Sequence, residues 1–240
     1  MKAKTYISMA KAKKKNYTGL FILLGALLLM GFIGFFASKD VSFLDKFKSN
    51  NTQKKLVEPK YEELSAEAKA HVDASLAKVK EANTIAEKPV RSDEDNKEMA
   101  RLVQEAIDEA IKAKDVEPTN SIVWGNLGNI YVGMGSTEGA QQFAISSYQK
   151  AIEINPTVTT YYEGLGGAYL NLKQYDKAIE VFRNETIVSP KYANGFFNLG
   201  VAYKRYGAKS KAKEALQKAL DLLPANHPDR YKAEAELENL

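Results

Sequence analysis

Residues 124–131 read Trp-Gly-Asn-Leu-Gly-Asn-Ile-Tyr, and this pattern of an aromatic residue, a Leu-Gly pair and a tyrosine returns twice. The later copies lie at 162–169 and 196–203. Gly166 and Gly200, one from each later copy, stand 34 residues apart. A fixed period of this size is typical of small structural units that bury their apolar faces against one another. The pattern therefore predicts a repeat protein.

Each unit reads as two helices. Between Pro190 and Pro224, apolar and small residues recur at helical spacing in two runs, which are Phe196, Leu199, Gly200 and Tyr203, then Ala212, Leu216 and Ala219. Gly207 separates the runs and favours the end of the first helix. Pro224 ends the second helix because it has no N–H to donate. The unit is therefore predicted to be a helical hairpin.

The three units resemble the tetratricopeptide repeat (TPR) family, whose units carry W-x2-L-G-x2-Y, then A-x3-F-x2-A, then P. Residues 124–131 match the first block in full. In the second unit Glu185 occupies a small-residue position of the second block, so looser packing is expected there. The first unit is longer by four residues, and its glycine-rich stretch at 133–139 is expected to be an extended turn rather than a phosphate-binding loop.

The resemblance implies an all-α fold, a TPR-type α-solenoid that occupies residues 92–240. Its three full repeats are expected at about 120–158, 159–192 and 193–226. A flanking half-repeat is expected before them, with Ala106, Ala110 and Ala113 on one helix face and a capping signal at Ser92 and Asp95.

After Pro224, residues 228–240 are predicted to form a C-terminal capping helix, with Tyr231, Ala235 and Leu237 on its apolar side.

Residues 17–37 carry no charge and are mostly apolar. About 20 residues rising ~1.5 Å each cross the ~30 Å hydrocarbon layer, so we predict a transmembrane helix here. A cleaved signal peptide is the competing interpretation. The apolar core of a signal peptide would be only ~7–15 residues long and would be followed by small residues at the cleavage site. Here Phe35 stands where a small residue would be needed if cleavage followed Ala37.

Charge is unevenly distributed along the chain. Residues 1–16 carry six lysines and no acid, which predicts a basic cytoplasmic tail. The repeat domain is then expected on the extracytoplasmic side, although five lysines between 39 and 55 weaken this bias. Residues 92–240 hold 17 basic and 21 acidic residues, a net charge of −4, which argues against nucleic acid as a partner.

Two segments lie between the predicted membrane helix and the repeats. Residues 38–60 are polar and lysine-rich and are predicted to be a flexible tether. Residues 61–91 are predicted to form an amphipathic helix and a linker. The apolar face of this helix is Leu64, Ala68, Val72, Leu76, Val79 and Ala82 or Ile85. Two interpretations stay open, a coiled-coil seam that gives a homodimer through 61–86 and a helix that packs on its own solenoid.

In the TPR family the first helix of each unit lines a concave groove. The groove residues that this implies are Ile122, Gly125, Asn129, Val132, Thr160, Glu163, Gly167, Leu170, Asn194, Phe197, Val201 and Lys204. Some family members bind acidic C-terminal peptides through a clamp of lysine, asparagine and arginine, and of that pattern only Asn129 survives here. A mixed groove with an apolar strip is expected, suited to a helical or extended protein segment.

No combination of residues indicates catalysis, and we expect no enzyme, no cofactor and no metal site. His71 and His227 lie far apart, and neither has a companion at ligand spacing. The chain has no cysteine, which excludes disulfides and thiolate ligands.

The leading hypothesis is a single-pass protein of the inner or plasma membrane, a scaffold that binds subunits of an envelope-associated complex. The alternative is a cytosol-facing TPR receptor or co-chaperone with a membrane anchor.

Overall fold

The computed structural model describes residues 63–135 and 137–240, which form helices and no strands. The helices are α1, Ala66–Ala86; α2, Asp93–Val116; α3, Ser121–Gly133; α4, Glu138–Ile154; α5, Thr159–Asn171; α6, Tyr175–Val188; α7, Ala193–Tyr206; α8, Lys209–Leu222; and α9, Arg230–Glu238. The predicted tail, membrane helix and tether, at 1–16, 17–37 and 38–60, lie outside the described residues. Within the described part of the chain, no helix is long and apolar enough to cross a membrane.

The helices are arranged in successive pairs. The first helices, α1, α3, α5 and α7, contact one another in turn and form an inner layer. Each second helix, α2, α4, α6 or α8, packs against the first helix of its own pair and against the helix that follows. The architecture is therefore an all-α solenoid, as the repeat period predicts.

Glycine lets the two helices of a pair approach closely. A Cβ atom on Gly200 would lie 2.6 Å from Cγ of Leu216, and one on Gly166 would lie 2.3 Å from Cζ of Phe182. Leu216 and Phe182 are fully buried. Because a methyl group has no space at either position, the glycines of the repeat pattern are packing residues. Gly207 has φ +90° and ends α7, where the sequence predicts a break.

The N-terminal pair is more complete than the sequence indicated, because α1 supplies the first helix of what was predicted to be a half-repeat. The predicted capping box is present at the start of α2. The Asp95 N–H donates to Oγ of Ser92 at 3.0 Å, and the Ser92 N–H donates to Oδ2 of Asp95 at 2.9 Å. Ala106 and Ala110 of α2 are fully buried in a cluster with Leu127 of α3, which joins this pair to the first repeat.

Most of the apolar face of α1 packs on the chain itself, but Leu76, which was predicted to belong to this face, is 49% exposed. Val72 lies in a buried cluster with Val123 of α3. Nδ2 of Asn126 donates a buried hydrogen bond to Oγ of Ser75 at 2.8 Å, which fixes α1 against α3. A homodimer seam through 61–86 would need much of this same face, so the structure favours packing on the solenoid.

The last helix, α9, packs against α8 inside the segment predicted to be the cap. Its apolar side was predicted wrongly. Ala233 is buried, whereas Tyr231 is 64% exposed. The orientation is set by Arg230, whose Nη1 donates to the carbonyl oxygens of Leu220 at 2.8 Å and Leu223 at 3.0 Å, at the end of α8. The sequence of a nine-residue helix does not reveal such an anchor.

Candidate partner-binding groove

The inner layer carries the residues that were predicted to line the groove. Of the twelve, all but Gly125 keep part of their surface exposed. They lie on α3, α5 and α7 or directly beside them. The inner layer therefore presents accessible side chains from three successive repeats, although only some of them share one pocket.

A pocket of about 360 Å³ lies between α5, α7 and α9. It brings together five predicted groove residues, Glu163, Gly167, Leu170, Asn194 and Phe197. No heavy atom lies within 4 Å of the position that a Cβ on Gly167 would take, so this glycine leaves a hollow in the groove. Lys232 and Ala233 of α9 also line the pocket. Sequence analysis missed this contribution because it assigned α9 only to covering the end of the array.

Two predicted groove residues have other roles. Gly125 is buried, and a Cβ atom there would lie 2.4 Å from Cε1 of Tyr161. Its assignment to open groove surface is corrected, because Gly125 is the point where α3 meets a side chain of α5. Lys204 is partly exposed, but its Nζ lies 2.7 Å from Oε2 of Glu236 on α9. Its charge is therefore already paired within the chain.

A buried glutamate lies at the junction between α6 and α7. Glu185 is fully buried, and neither of its carboxyl oxygens has a hydrogen-bond partner. A Cβ atom on Gly195 of α7 would lie 3.3 Å from Cγ and Cδ of Glu185. The looser packing expected at this position is therefore wrong, because Gly195 makes room for the larger side chain. Burial raises the pKa of Glu185 to about 8, and the negative charge of Glu163 adds to the shift.

The second acid, Glu163 on α5, faces the pocket directly. The hydroxyl of Tyr192, the residue before α7, donates to Oε1 of Glu163 at 2.8 Å. Nδ2 of Asn194 donates to the same hydroxyl oxygen at 3.2 Å. Burial raises the pKa of Tyr192, and its hydrogen bond to Glu163 contributes to the shift. A polar chain thus links α5 to the start of α7 at the edge of the pocket.

The charges around the pocket do not balance. Nζ of Lys232 lies 2.7 Å from Oδ1 of Asp229, and Lys204 is paired with Glu236. Among the described residues, no ion pair includes Glu163 or Glu185. Among the acids that line the pocket, Glu163 is therefore the one that no cation of the described chain pairs with, while Glu185 is buried outside the pocket lining.

The described residues contain no group of three histidine or acidic side chains that could hold a metal ion. Nδ1 of His71 lies 2.7 Å from Oε2 of Glu109, and Nδ1 of His227 lies 3.7 Å from Oδ2 of Asp229. Each histidine thus stands beside one carboxylate.

Helical pairs stacked into a solenoid with an accessible inner layer define a class of proteins that bind other proteins. A family comparison is more specific. Residues 122–158, 159–184 and 193–226 match the family model described as tetratricopeptide repeat. This match supports assignment of the repeats to the TPR family.

Two relatives cover part of the chain. The small glutamine-rich tetratricopeptide repeat-containing protein 2 of Saccharomyces cerevisiae is 33% identical over 95 residues, which are 40% of this chain and 28% of that protein. The heat-shock protein cognate co-chaperone sgt12 of Aspergillus fumigatus is 33% identical over 78 residues, 32% of this chain and 23% of that protein. The match therefore spans about a quarter of the length of these curated relatives.

A solved structure shares the fold. MamA from Desulfovibrio magneticus RS-1 superposes with a TM-score of 0.52 and covers 74% of this chain and 94% of its own chain. The two sequences are 19% identical, so the likeness concerns the architecture of stacked helical pairs.

Proposed function

We propose that this protein is a membrane-tethered scaffold or adaptor whose TPR groove binds a segment of a protein in an envelope-associated complex. The pocket between α5, α7 and α9 carries this proposal. Leu170 and Phe197 supply apolar surface, while Glu163 and Asn194 supply polar groups at its edge. A groove of this composition suits an amphipathic helix or an extended segment, because both present apolar and polar side chains at regular intervals.

Two substitutions on α7 test the groove. Phe197→Asp and Val201→Asp should abolish capture of the crosslinked partner from native membranes, while circular dichroism shows unchanged helical content. Ile187→Asp is the matched control, because Ile187 is 62% exposed and lies on the second helix α6. Capture that survives both groove substitutions would contradict the assignment of the groove.

The membrane anchor in this proposal is the uncharged segment 17–37, the predicted transmembrane helix. With the lysine-rich residues 1–16 in the cytoplasm, the repeats lie on the other side of the inner or plasma membrane. Tethering raises the local concentration of the groove at the bilayer, so a weak interaction can be occupied. Protease added to spheroplasts should digest the repeats. Full protection of the repeats would contradict this topology.

A cytosol-facing receptor or co-chaperone is the second candidate, and the name of the Aspergillus fumigatus relative favours it. Glu163 and Phe197 stand where a clamp for acidic peptides would need polar or basic groups, which counts against it. Fluorescence anisotropy with a synthetic acidic C-terminal peptide separates the two candidates. We expect no saturable binding, and saturable binding that Phe197→Asp removes would favour the co-chaperone.

A further inference from the structure

Helix α9 has the register of the first helix of a repeat. In the second repeat, the hydroxyl of Tyr162 donates to the carbonyl oxygen of Pro156, in the loop after α4, at 2.9 Å. Arg230 lies two periods of 34 residues after Tyr162. Its Nη1 donates in the same way to the carbonyl oxygen of Leu223, directly after α8, at 3.0 Å. Ala233, one turn later, is buried as the leucines of the repeat pattern are. The chain therefore begins a fourth unit at α9.

This register places Tyr231 on the groove. Tyr231 stands 34 residues after Phe197 and two such periods after Glu163, and both of those residues line the pocket. The side chain of Tyr231 is 64% exposed. An apolar contact of a cap would be buried, whereas a groove position requires an accessible side chain. The exposure of Tyr231 thus agrees with its place in the repeat.

The groove is continuous from α7 to α9. Lys232, which follows Tyr231 in the chain, lines the same pocket as Phe197. The two helices are also joined by the ion pair between Nζ of Lys204 and Oε2 of Glu236, at 2.7 Å. A partner segment that contacts Phe197 and runs along the solenoid therefore reaches α9 next.

A second row of groove positions is lined by smaller side chains. Gly167, Val201 and Ala235 are related by the period of 34 residues, and each keeps part of its surface exposed. No heavy atom lies within 4 Å of the position that a Cβ on Gly167 would take. This row gives the backbone of a partner room to approach, while Phe197 and Tyr231 offer aromatic rings in the row beside it.

The spacing of the inner helices favours a helical partner. Packed helices lie about 8–10 Å apart. Seven residues of a helix rise ~10.5 Å and complete almost two turns, so residues seven apart lie on one face and meet successive inner helices. An extended segment covers ~10 Å in three residues, but residues three apart point to opposite faces. Only the helix presents apolar side chains to Phe197 and Tyr231 at matching intervals.

We propose that α9 extends the partner-binding groove, with Tyr231 as a contact residue, and that the bound segment is an amphipathic helix of the partner protein. Two apolar residues of this helix, seven positions apart, pack against Phe197 and Tyr231. This inference rests on the proposed groove function and specifies the partner. Aromatic rings suit this role because each offers a large apolar contact area. The helix that covers the end of the array therefore also takes part in recognition.

Selection from two peptide libraries tests the helical partner. Both libraries display peptides of about 21 residues on phage, a length of ~31 Å as a helix. One has an alanine, glutamate and lysine framework with one randomised face, and the other carries interspersed prolines that prevent a helix. They are selected on the full chain in detergent, and binders that Phe197→Asp abolishes are sequenced. We expect these binders to come from the helical library and to carry apolar residues seven positions apart.

Variants of the protein test the role of Tyr231 with synthetic copies of these peptides. In fluorescence anisotropy, Tyr231→Asp should weaken binding at least tenfold, and Tyr231→Ser, which adds no charge, should weaken it in the same direction. Tyr206→Asp is the matched control, because Tyr206 at the end of α7 is 61% exposed, and it should leave the affinity unchanged. Replacing the second apolar anchor of the peptide by alanine should weaken binding to the wild type about tenfold. The same replacement should weaken binding to Tyr231→Asp by no more than about twofold, because the two side chains are coupled.

The outcomes separate this inference from the groove function. Peptides that depend on Phe197 but bind Tyr231→Asp as tightly as the wild type would overturn the extension onto α9 and leave the groove function standing. Binders that come mainly from the proline library, or that lack apolar residues seven positions apart, would overturn the helical partner. If no selected peptide depends on Phe197, the groove function and this inference are both overturned.

Discussion

Two junctions between neighbouring repeats fill the same position with opposite residues. Between the first and second repeats, α4 contributes Ala151 and α5 contributes Tyr161, and both side chains are buried. Between the second and third repeats, α6 contributes Glu185 and α7 contributes Gly195 at the same spacing of ten residues. The larger residue is therefore on the first helix of a repeat at one junction and on the second helix of the preceding repeat at the other. The environments differ as well, because the ring of Tyr161 packs against Gly125 of α3, whereas Glu185 packs against Gly195 of α7.

The two junctions also differ in polarity. In the first, the hydroxyl of Tyr161 lies 3.2 Å from Oγ of Ser121, so its polar group has a partner. In the second, the carboxyl group of Glu185 has none.

The largest effect is expected when the acid is moved to the other junction. Ala151→Glu should lower the free energy of unfolding by about 3–5 kcal/mol, because Ala151 is fully buried, so the larger side chain overpacks the junction and its carboxyl is buried without a partner. Urea denaturation at pH 7 measures this change. Ala235→Glu, at an exposed position of α9, should change stability by less than about 0.5 kcal/mol. A loss below about 1 kcal/mol for Ala151→Glu would show that the junctions are equivalent.

The second prediction concerns pH. The pKa of Glu185 is raised from 4.5 to about 8 in the folded protein, so its proton is bound more tightly in the native state. Its contribution to stability is therefore fully present below pH 4.5 and is lost as pH rises through about 8, by a few kcal/mol at most (about 1.4 kcal/mol per pKa unit).

Glu185→Gln removes this dependence, because the amide does not ionise. The free energy of unfolding of the wild type minus that of the variant should fall as pH rises from 4.5 to 8. Urea titrations at several pH values measure it. A difference that stays constant with pH would contradict the burial of an ionisable acid at this junction.

The third prediction concerns the glycine opposite the acid. Gly195→Val should destabilise the protein by about 1–3 kcal/mol, because the added side chain meets Glu185 in a filled space. Glu185→Ala restores room, so Gly195→Val should cost less in that background. A double-mutant cycle on thermal unfolding should give a coupling energy of about 1 kcal/mol or more. Additive effects would mean that the two side chains do not share one space.

The smallest effect is expected at the far end of the groove. Lys204→Gln or Glu236→Gln removes a partly exposed ion pair between α7 and α9, which is worth about 0.2–1 kcal/mol. Loss of either partner should lower the melting temperature slightly, and 1 M NaCl should reduce the difference. A loss of stability above about 1 kcal/mol would show that the packing of α9 depends strongly on this ion pair.

Local sequence signals predicted most of the fold. The repeat period, the glycines that face Phe182 and Leu216, the capping box at Ser92 and the helix end at Gly207 all act within a few turns of chain. The orientation of α9 could not be predicted in this way, because it depends on where the side chain of Arg230 finds carbonyl oxygens on another helix.

The site was harder to predict than the fold. The family pattern identified Glu185 as unusual, but its burial depends on Gly195, which lies across a turn on the next helix. A comparison of residues ten positions apart would have paired Glu185 with Gly195, where the preceding repeat has Ala151 and Tyr161. The sequence also left two interpretations of α1, a dimer seam and a helix packed on the solenoid. An alanine-rich apolar stripe is compatible with both.

The second junction buries the carboxyl group of Glu185 without a hydrogen-bond partner. Carbon-13 NMR of the labelled glutamate carboxyl groups, with Glu185→Gln to assign the signal, measures the ionisation of this group. Glu185 is expected to titrate near pH 8 in the free protein. A Glu185 signal that titrates near pH 4.5 would show a solvated carboxylate and would rule out this burial.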